Sequence, residues 1–271
     1  MTGAPDPLYV QARSVLLDAA EALAPHLDSI VLVGAQAVYM HTGSADLAVA
    51  EYTTDADFGI DPTSLGGAPL IGPLLRSRGF LPRENPGGWV SASGIYLDLM
   101  VPEALAGKGR RSADLGAHGK RAARRALGLE GAWIDCSTML IGALDPTDGR
   151  QVRMRVAGPG ALLVAKLHKL GERVANDDRV KDKDALDIVR ILRSIDTTDL
   201  AERIRLIVDS GKAKDVSVAA LRLLQELFAS AGSEGVRLAQ RASERLINPD
   251  ELAGSTVALA GDLLGALGHE P

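Results

Sequence analysis

The sequence is poorest in cysteine and aromatic residues. Cys136 is the only cysteine among 271 residues, so an internal disulfide framework is excluded, and its surroundings show no sign of an activated thiol. Aromatics make up 3% of the chain, which leaves the core to Ala, Leu, Val and Ile; Trp89 and Trp133 read as packing residues. No apolar run is long enough to span a bilayer, and no cationic segment followed by an apolar stretch opens the chain. A cytoplasmic protein with no membrane partner is the expectation. Net positive charge is also missing. Thirty Lys and Arg face 35 Asp and Glu, a formal charge of −5, which excludes a uniformly basic nucleic-acid binder but leaves room for a local basic patch. The five histidines (His26, His41, His118, His168, His269) are scattered without metal-ligand spacing, and His168 reads as a partly buried helix residue.

What is present is a soluble globular composition, 46% hydrophobic and 24% charged, long enough for one large core or two ordinary ones. Apolar periodicity predicts a helix from about Leu8 to Leu27. "SIVLVG" reads as a buried strand, "AQAVYMHTG" as a short helix stopped by Gly43, "TDADFGI" as a strand and "APLIGPLLRSRG" as a helix. "WVSAS" and "IYLDLMV" suggest a hairpin around Gly94, with "AWIDC" and "QVRMRVA" as further strands. From "AGPGALLVAKLHKLGER" onward only helical periodicity is found, over Ala161–Val174, Asp182–Ser194, Asp199–Ser210, Val216–Ala231, Gly235–Ile247 and Pro249–Leu267. The expected architecture is α+β: a mixed sheet with flanking helices over residues 1–157, then an all-helical domain over 158–271.

The most informative residues are Asp55 and Asp57 in "TTDADF", followed by Asp98 in "IYLDLMVP". Residues i and i+2 of a strand project to one face, where two carboxylates repel and are costly to desolvate without a cation between them. A short D-x-D by itself more often marks two solvated strand-end acids. Here an apolar strand carries Asp98 beside the pair, and three acids on two strands would form a site for one or two divalent metals. Gly34 and Ala35 in "VGAQA" lie at a strand-to-helix junction, where free amides and the helix dipole suit a phosphate; a plain turn glycine is the commoner meaning.

Further along, Lys166, Lys169 and Arg173 recur at i, i+3 and i+7 as a basic helix stripe. Asp184 and Asp187 share one face of the next helix. Both sets are equally open to ion pairing with each other and to a catalytic role. The segment 108–125 gathers Lys108, Arg110, Arg111, Lys120, Arg121, Arg124 and Arg125 against Asp114, with residues 120–125 expected on or near one short helix. This is either a solvated surface or a landing site for a polyanion such as RNA.

In this order, Gly34-Ala35, "TTDADF", "YLDLMVP", "LLVAKLHKLGER" and "KDKDALDIVRIL" resemble the nucleotidyltransferase toxins of the AbiEii type and the related MenT group. These are members of the DNA polymerase β-like nucleotidyltransferase superfamily. The resemblance spans roughly residues 30–192. It implies that Gly34 and Ala35 form the first, nucleotide-contacting motif and that Asp55 and Asp57 bind metal with Asp98 as the third acid. It implies a catalytic Lys166 that steadies the triphosphate, with Arg173 nearby, and a final acidic motif at Asp184 and Asp187. Two positions depart from the pattern. Ala35 removes a hydroxyl contact, and Glu51 stands where an arginine is frequent.

The expected function is transfer of an NMP from an NTP, with Mg²⁺ or Mn²⁺, to an acceptor hydroxyl. By resemblance the acceptor is the tRNA 3′ end, and the protein is the toxin of a toxin–antitoxin pair with a cognate antitoxin. The alternatives are a small-molecule or protein acceptor, or a nucleotide- or RNA-binding module that has lost catalysis.

Overall fold

The computed structural model describes residues 5–43, 53–176, 182–243 and 246–269. Asp6 starts the first helix, α1 (Pro7–Ala22), by accepting hydrogen bonds from the amides of Leu8 and Tyr9, with Pro7 in the first turn where its missing N–H costs nothing. The helix stops five residues short of the expected end. Pro25 follows, and Ala24–Ser29 continue as a tight 3₁₀ segment.

The chain then runs β1 (Ile30–Val33), α2 (Gly34–Thr42), β2 (Asp55–Ile60), α3 (Ile71–Ser77), β3 (Leu81–Pro82), β4 (Gly88–Val90), β5 (Tyr96–Pro102), β6 (Arg124–Ala126), β7 (Cys136–Gly142) and β8 (Gln151–Ala157). Six helices follow: α4 (Pro159–Asn176), α5 (Asp182–Ser194), α6 (Thr197–Asp209), α7 (Lys214–Phe228), α8 (Glu234–Ala242) and α9 (Pro249–Ala266). Among the described residues every strand precedes every one of these helices.

The eight strands form one mixed sheet in the order β3-β4-β5-β2-β1-β8-β7, with β6 beside β5. β2 lies between antiparallel β1 and parallel β5. Two expected elements differ. "AWIDC" is a turn, and its strand begins only at Cys136. Residues 120–123 are not helical, and Arg124 and Arg125 lie in β6, parallel to Met100 and Val101. Gly119, with φ near +83°, ends the only 3₁₀ turn there, and the Ala-rich run that suggested a helix is drawn into strand pairing instead.

Alternation along the strands sets the acids apart from the core. Ala56, Phe58, Ile60, Leu97, Leu99 and Val101 are fully buried, whereas Asp55, Asp57, Tyr96 and Asp98 fall on the other face. α2 packs on β1 and β2, and α4 and α5 pack in turn on α2. The buried apolar residues make one continuous cluster from α1 to α9.

One polar joint ties the sheet to the helices. Asp135 is 3% exposed; its carboxylate accepts from the amide of Ala161 in the first turn of α4 and from Arg203 Nη1 of α6, both at 3.0 Å. Glycine is required beside it, because a Cβ on Gly158 would lie 2.0 Å from Asp135 Oδ1. His41 of α2 bonds the carbonyl of Ala157 at 2.8 Å, and burial holds its imidazole below the ordinary value. Asp135→Ala removes a helix cap and one of the two carboxylates that meet Arg203, which keeps Asp199 at 2.9 Å, so urea unfolding should show a loss of about 2 kcal/mol. A loss below about 1 kcal/mol would show that the joint is not a stability anchor.

Candidate active site

Gly34, with φ near +73°, makes the turn from β1 into α2, and it is where the site begins. A Cβ at this position would fall 2.0 Å from Asp57 Oδ2, so the Asp57 carboxyl lies directly against the glycine at the helix N-terminus. The strand register puts Asp57 opposite Val33 on one side and opposite Asp98 on the other.

Asp57 is 7% exposed, and its pKa is pushed up to about 7. Burial is the first cause. The negative charge of Asp55 adds to it and that of Asp98 adds further, while Lys169 and Lys166 act in the opposite sense. The expected same-face placement of Asp55 and Asp57 is therefore present, and its electrostatic cost is visible on Asp57.

Asp55 is held from both sides of its strand. Its Oδ1 accepts from Thr53 Oγ1 at 3.0 Å and from the Thr54 amide at 3.2 Å. Its backbone carbonyl accepts from Gln36 Nε2 at 3.1 Å, and the same amide group bonds the carbonyl of Ala12. Gln36 Oε1 in turn accepts from the buried Arg13. Gln36 thus fastens α1 and α2 to the first residue of β2. Sequence reasoning passed over Gln36, although a lone amide inside the apolar run "VLVGAQAVYM" was a usable signal.

Asp98 lies on the same face as the pair, but its Oδ2 accepts from Arg124 Nη2 at 3.3 Å. Among the described residues, no three Asp, Glu, His or Cys side chains gather closely enough to form a metal cage. The donor set fits Mg²⁺ differently. That ion is typically held by one or two carboxylates, with water and substrate phosphates completing its shell, and Asp55 with Asp57 offers such a pair of hard oxygen donors. The raised pKa of Asp57 is the mark of a carboxylate that a cation would stabilise.

The basic stripe of α4 and the acids of α5 meet in a buried network. Lys166, 4% exposed, donates to Asp184 Oδ1 at 2.9 Å and to Asp187 Oδ2 at 2.5 Å. Burial opposes its charge, but the two carboxylates outweigh that and raise its pKa well above the ordinary lysine value. Asp184 also bonds Arg173, and Lys169 stands 3.5 Å away. Burial works against the Asp184 carboxylate, yet these three cations hold it far below the usual range.

Lys166 and Arg173, expected at the triphosphate, are therefore committed to ion pairs. Lys169 is the member left accessible, with 37% of its side chain exposed. Lys183, which sequence reasoning did not single out, is mostly buried at the start of α5 and its pKa is lowered. Burial is the main cause; the fields of Asp187 and Asp55 oppose it. Only its place beside the D-x-x-D pattern hinted at it. Glu51 lies outside the described residues.

The basic segment divides into two groups. Arg121 donates to the carbonyls of Arg83 and Glu84, and Arg125 donates to those of Glu103, Gly107 and Gly109. With Arg124 on Asp98, these three arginines brace loops, and Lys120 stands 4.0 Å from Asp114. Lys108, Arg110 and Arg111 are exposed and form no ion pair with any described residue. Comparison with protein-family models and with curated proteins found no match.

The raised pKa of Asp57 has a thermodynamic consequence. The folded carboxyl keeps its proton up to about pH 7, whereas unfolded chain releases it near 3.8. Between these values the folded state binds more protons, so this group lowers stability as pH rises. In metal-free buffer, Asp57→Asn should gain on the parent protein from pH 4 to pH 8, by on the order of 4 kcal/mol at most. Mg²⁺ added at pH 8 should raise the melting temperature of the parent and not of the variant. A stability difference that stays constant across pH would refute the assignment.

Proposed function

We propose that this chain is a metal-dependent nucleotidyltransferase that moves an NMP unit from an NTP to an acceptor hydroxyl. The carrying observation is Asp57: a buried carboxyl pressed against a helix-start glycine, beside a second acid, with a pKa raised to about 7. Asp55 and Asp57 would hold the metal. Bound there, Mg²⁺ or Mn²⁺ neutralises the pair and draws charge from the phosphate oxygens. Gly34 and Ala35 open α2, whose first turn has no side-chain cap, and the free amides of a helix start suit a phosphate.

The acceptor oxygen forms a bond to the α-phosphorus, the bond from that phosphorus to the β-phosphate bridge breaks, and pyrophosphate leaves. The hydroxyl proton passes to a carboxylate of the site, a role we give to Asp98, which lies opposite Asp57 on the adjoining strand. The cation that meets the triphosphate is assigned to Lys169, because Lys166 reaches a phosphate only by leaving two buried carboxylates. Lys166, Asp184, Asp187 and Arg173 fix the position of α4 and α5 above the acids.

The resemblance to AbiEii-type and MenT toxins supports a tRNA 3′ end as acceptor and a cognate antitoxin as partner. For RNA, the exposed loop with Lys108, Arg110 and Arg111 replaces the whole basic run as the contact surface.

Incubation with total RNA and each α-labelled NTP, with and without Mg²⁺, tests the reading. Label should enter a tRNA-sized band only with metal, and Asp55→Ala and Asp57→Ala should abolish it. Substantial transfer by both variants would overturn the assignment. Lys169→Ala should lower transfer about 100-fold with the fold intact. Lys166→Ala should instead cost about 3–5 kcal/mol of stability, because it uncovers a buried carboxylate. Replacing Lys108, Arg110 and Arg111 by Gln should reduce the log–log salt slope of RNA binding by about 0.7 to 0.9 for each phosphate that the loop no longer neutralises. An unchanged slope would exclude this loop as the RNA surface.

A further inference from the structure

We propose that Tyr96, with Arg83 lying on its ring, is a platform on which a nucleobase stacks beside the Asp55–Asp57 pair. This deepens the nucleotidyltransferase reading and rests on it. Among the described residues Tyr96 is the only exposed aromatic side chain, at 42% exposure, in a chain whose other described aromatics are wholly or partly packed.

Its placement is fixed by the sheet. Tyr96 opens β5 as the register partner of Asp55, and its amide donates to the Thr54 carbonyl at 3.3 Å. Register partners on neighbouring strands point to one face, so the ring stands on the face of Asp55, Asp57 and Asp98. On the other flank it pairs with Val90 of β4.

Arg83 supplies the second half. Its guanidinium carbon lies 3.9 Å from the Tyr96 ring centroid, the distance of a stacked pair. The backbone beneath it is pinned, since the Arg83 amide bonds the Gly88 carbonyl and the Arg83 carbonyl accepts from Arg121. Arg83 forms no ion pair with any described carboxylate, so its charge remains available to a phosphate. A guanidinium on one ring face leaves the other for an occupant. A second cation would be repelled, whereas an electron-rich, planar, neutral base is suited to a ring held in place and flanked by positive charge. Stacking of this kind contributes affinity with little discrimination among bases.

Two bases could occupy it: that of the NTP, or that of the acceptor terminus. Dissociation constants in Mg²⁺ for the four NTPs, for inorganic tripolyphosphate and for a short single-stranded RNA with a free 3′ hydroxyl separate them. Tyr96→Ala should weaken the NTPs or the RNA by about 5- to 100-fold, and Tyr96→Phe should stay within about 2-fold of the parent. Tripolyphosphate, which has no base, should bind unchanged. Loss confined to the NTPs assigns the platform to the incoming nucleotide; loss confined to the RNA assigns it to the acceptor. Parental affinity of Tyr96→Ala for all the base-bearing probes overturns the proposal, and so does an equal loss for tripolyphosphate, which would mark a structural effect. If the parent protein binds neither NTP nor tripolyphosphate, the nucleotidyltransferase reading fails, and the RNA arm alone decides the platform.

Discussion

The site depends on a buried lysine held between two aspartates. Lys166 joins α4 to α5 through Asp184 and Asp187 at positions almost closed to water. Each charge alone would be prohibitive there, and the pairing offsets that cost only because the geometry is close and Arg173 and Lys169 share the acids. A hydrophobic substitute of equal volume could pack as well. What it could not supply is charge: the network places Lys166 and Lys169 where their fields reach Asp57. The same ion pairs that fix two helices therefore also moderate the acidic pair.

That moderation is incomplete. Burial and the neighbouring acids still win on Asp57, whose carboxyl is held near neutral pH by an environment that disfavours its charge. A fold selected for stability alone would place an apolar side chain against Gly34. Instead the glycine removes its own side chain to make room for a carboxylate, on the polar side of a strand whose other side is solid core. Local cost accepted at one point, with support from Gln36, Thr53 and the α4–α5 network around it, is how a binding site is commonly built into a stable scaffold.

Most of the element order was legible because it rests on periodicity. Alternation in "TDADFGI" and "YLDLMVP" gave the strands and the shared face of the acids, and the 3.6-residue spacing gave the helices after Pro159 within a few residues. Boundaries failed where tertiary pairing overrode local preference. "RAARRA" has helix-forming composition, yet its last residues pair with β5. "AWIDC" has strand composition, yet its aspartate turns inward to cap α4. Site roles were less legible still. The spacing of Lys166, Lys169 and Arg173 showed that they share a stripe, but which of them is sealed by α5 depends on how two helices pack, and no local pattern carries that information. Gln36 and Lys183 carry faint local signals, a lone amide in an apolar run and a place beside the D-x-x-D pattern, but each matters through elements distant in sequence.

The basic segment shows the limit of counting charges. Its arginines look alike in sequence, but an arginine is also the side chain best suited to gathering several backbone carbonyls, since its planar fork carries five donors and keeps its charge when buried. Arg121 and Arg125 are used in this way, and Arg124 is drawn to Asp98. A guanidinium engaged by carbonyls and a carboxylate must give up those bonds to meet a phosphate, so its contribution to a polyanion surface is small whatever its formal charge. Under the proposed reading, any affinity for RNA would have to come from cations whose donors are still in water. Lys108, Arg110 and Arg111 meet that condition, on the loop that runs between β5, which carries Asp98, and β6, which carries Arg124. A strand bound there would be anchored by its phosphates on a loop whose far end, at Arg124, meets Asp98.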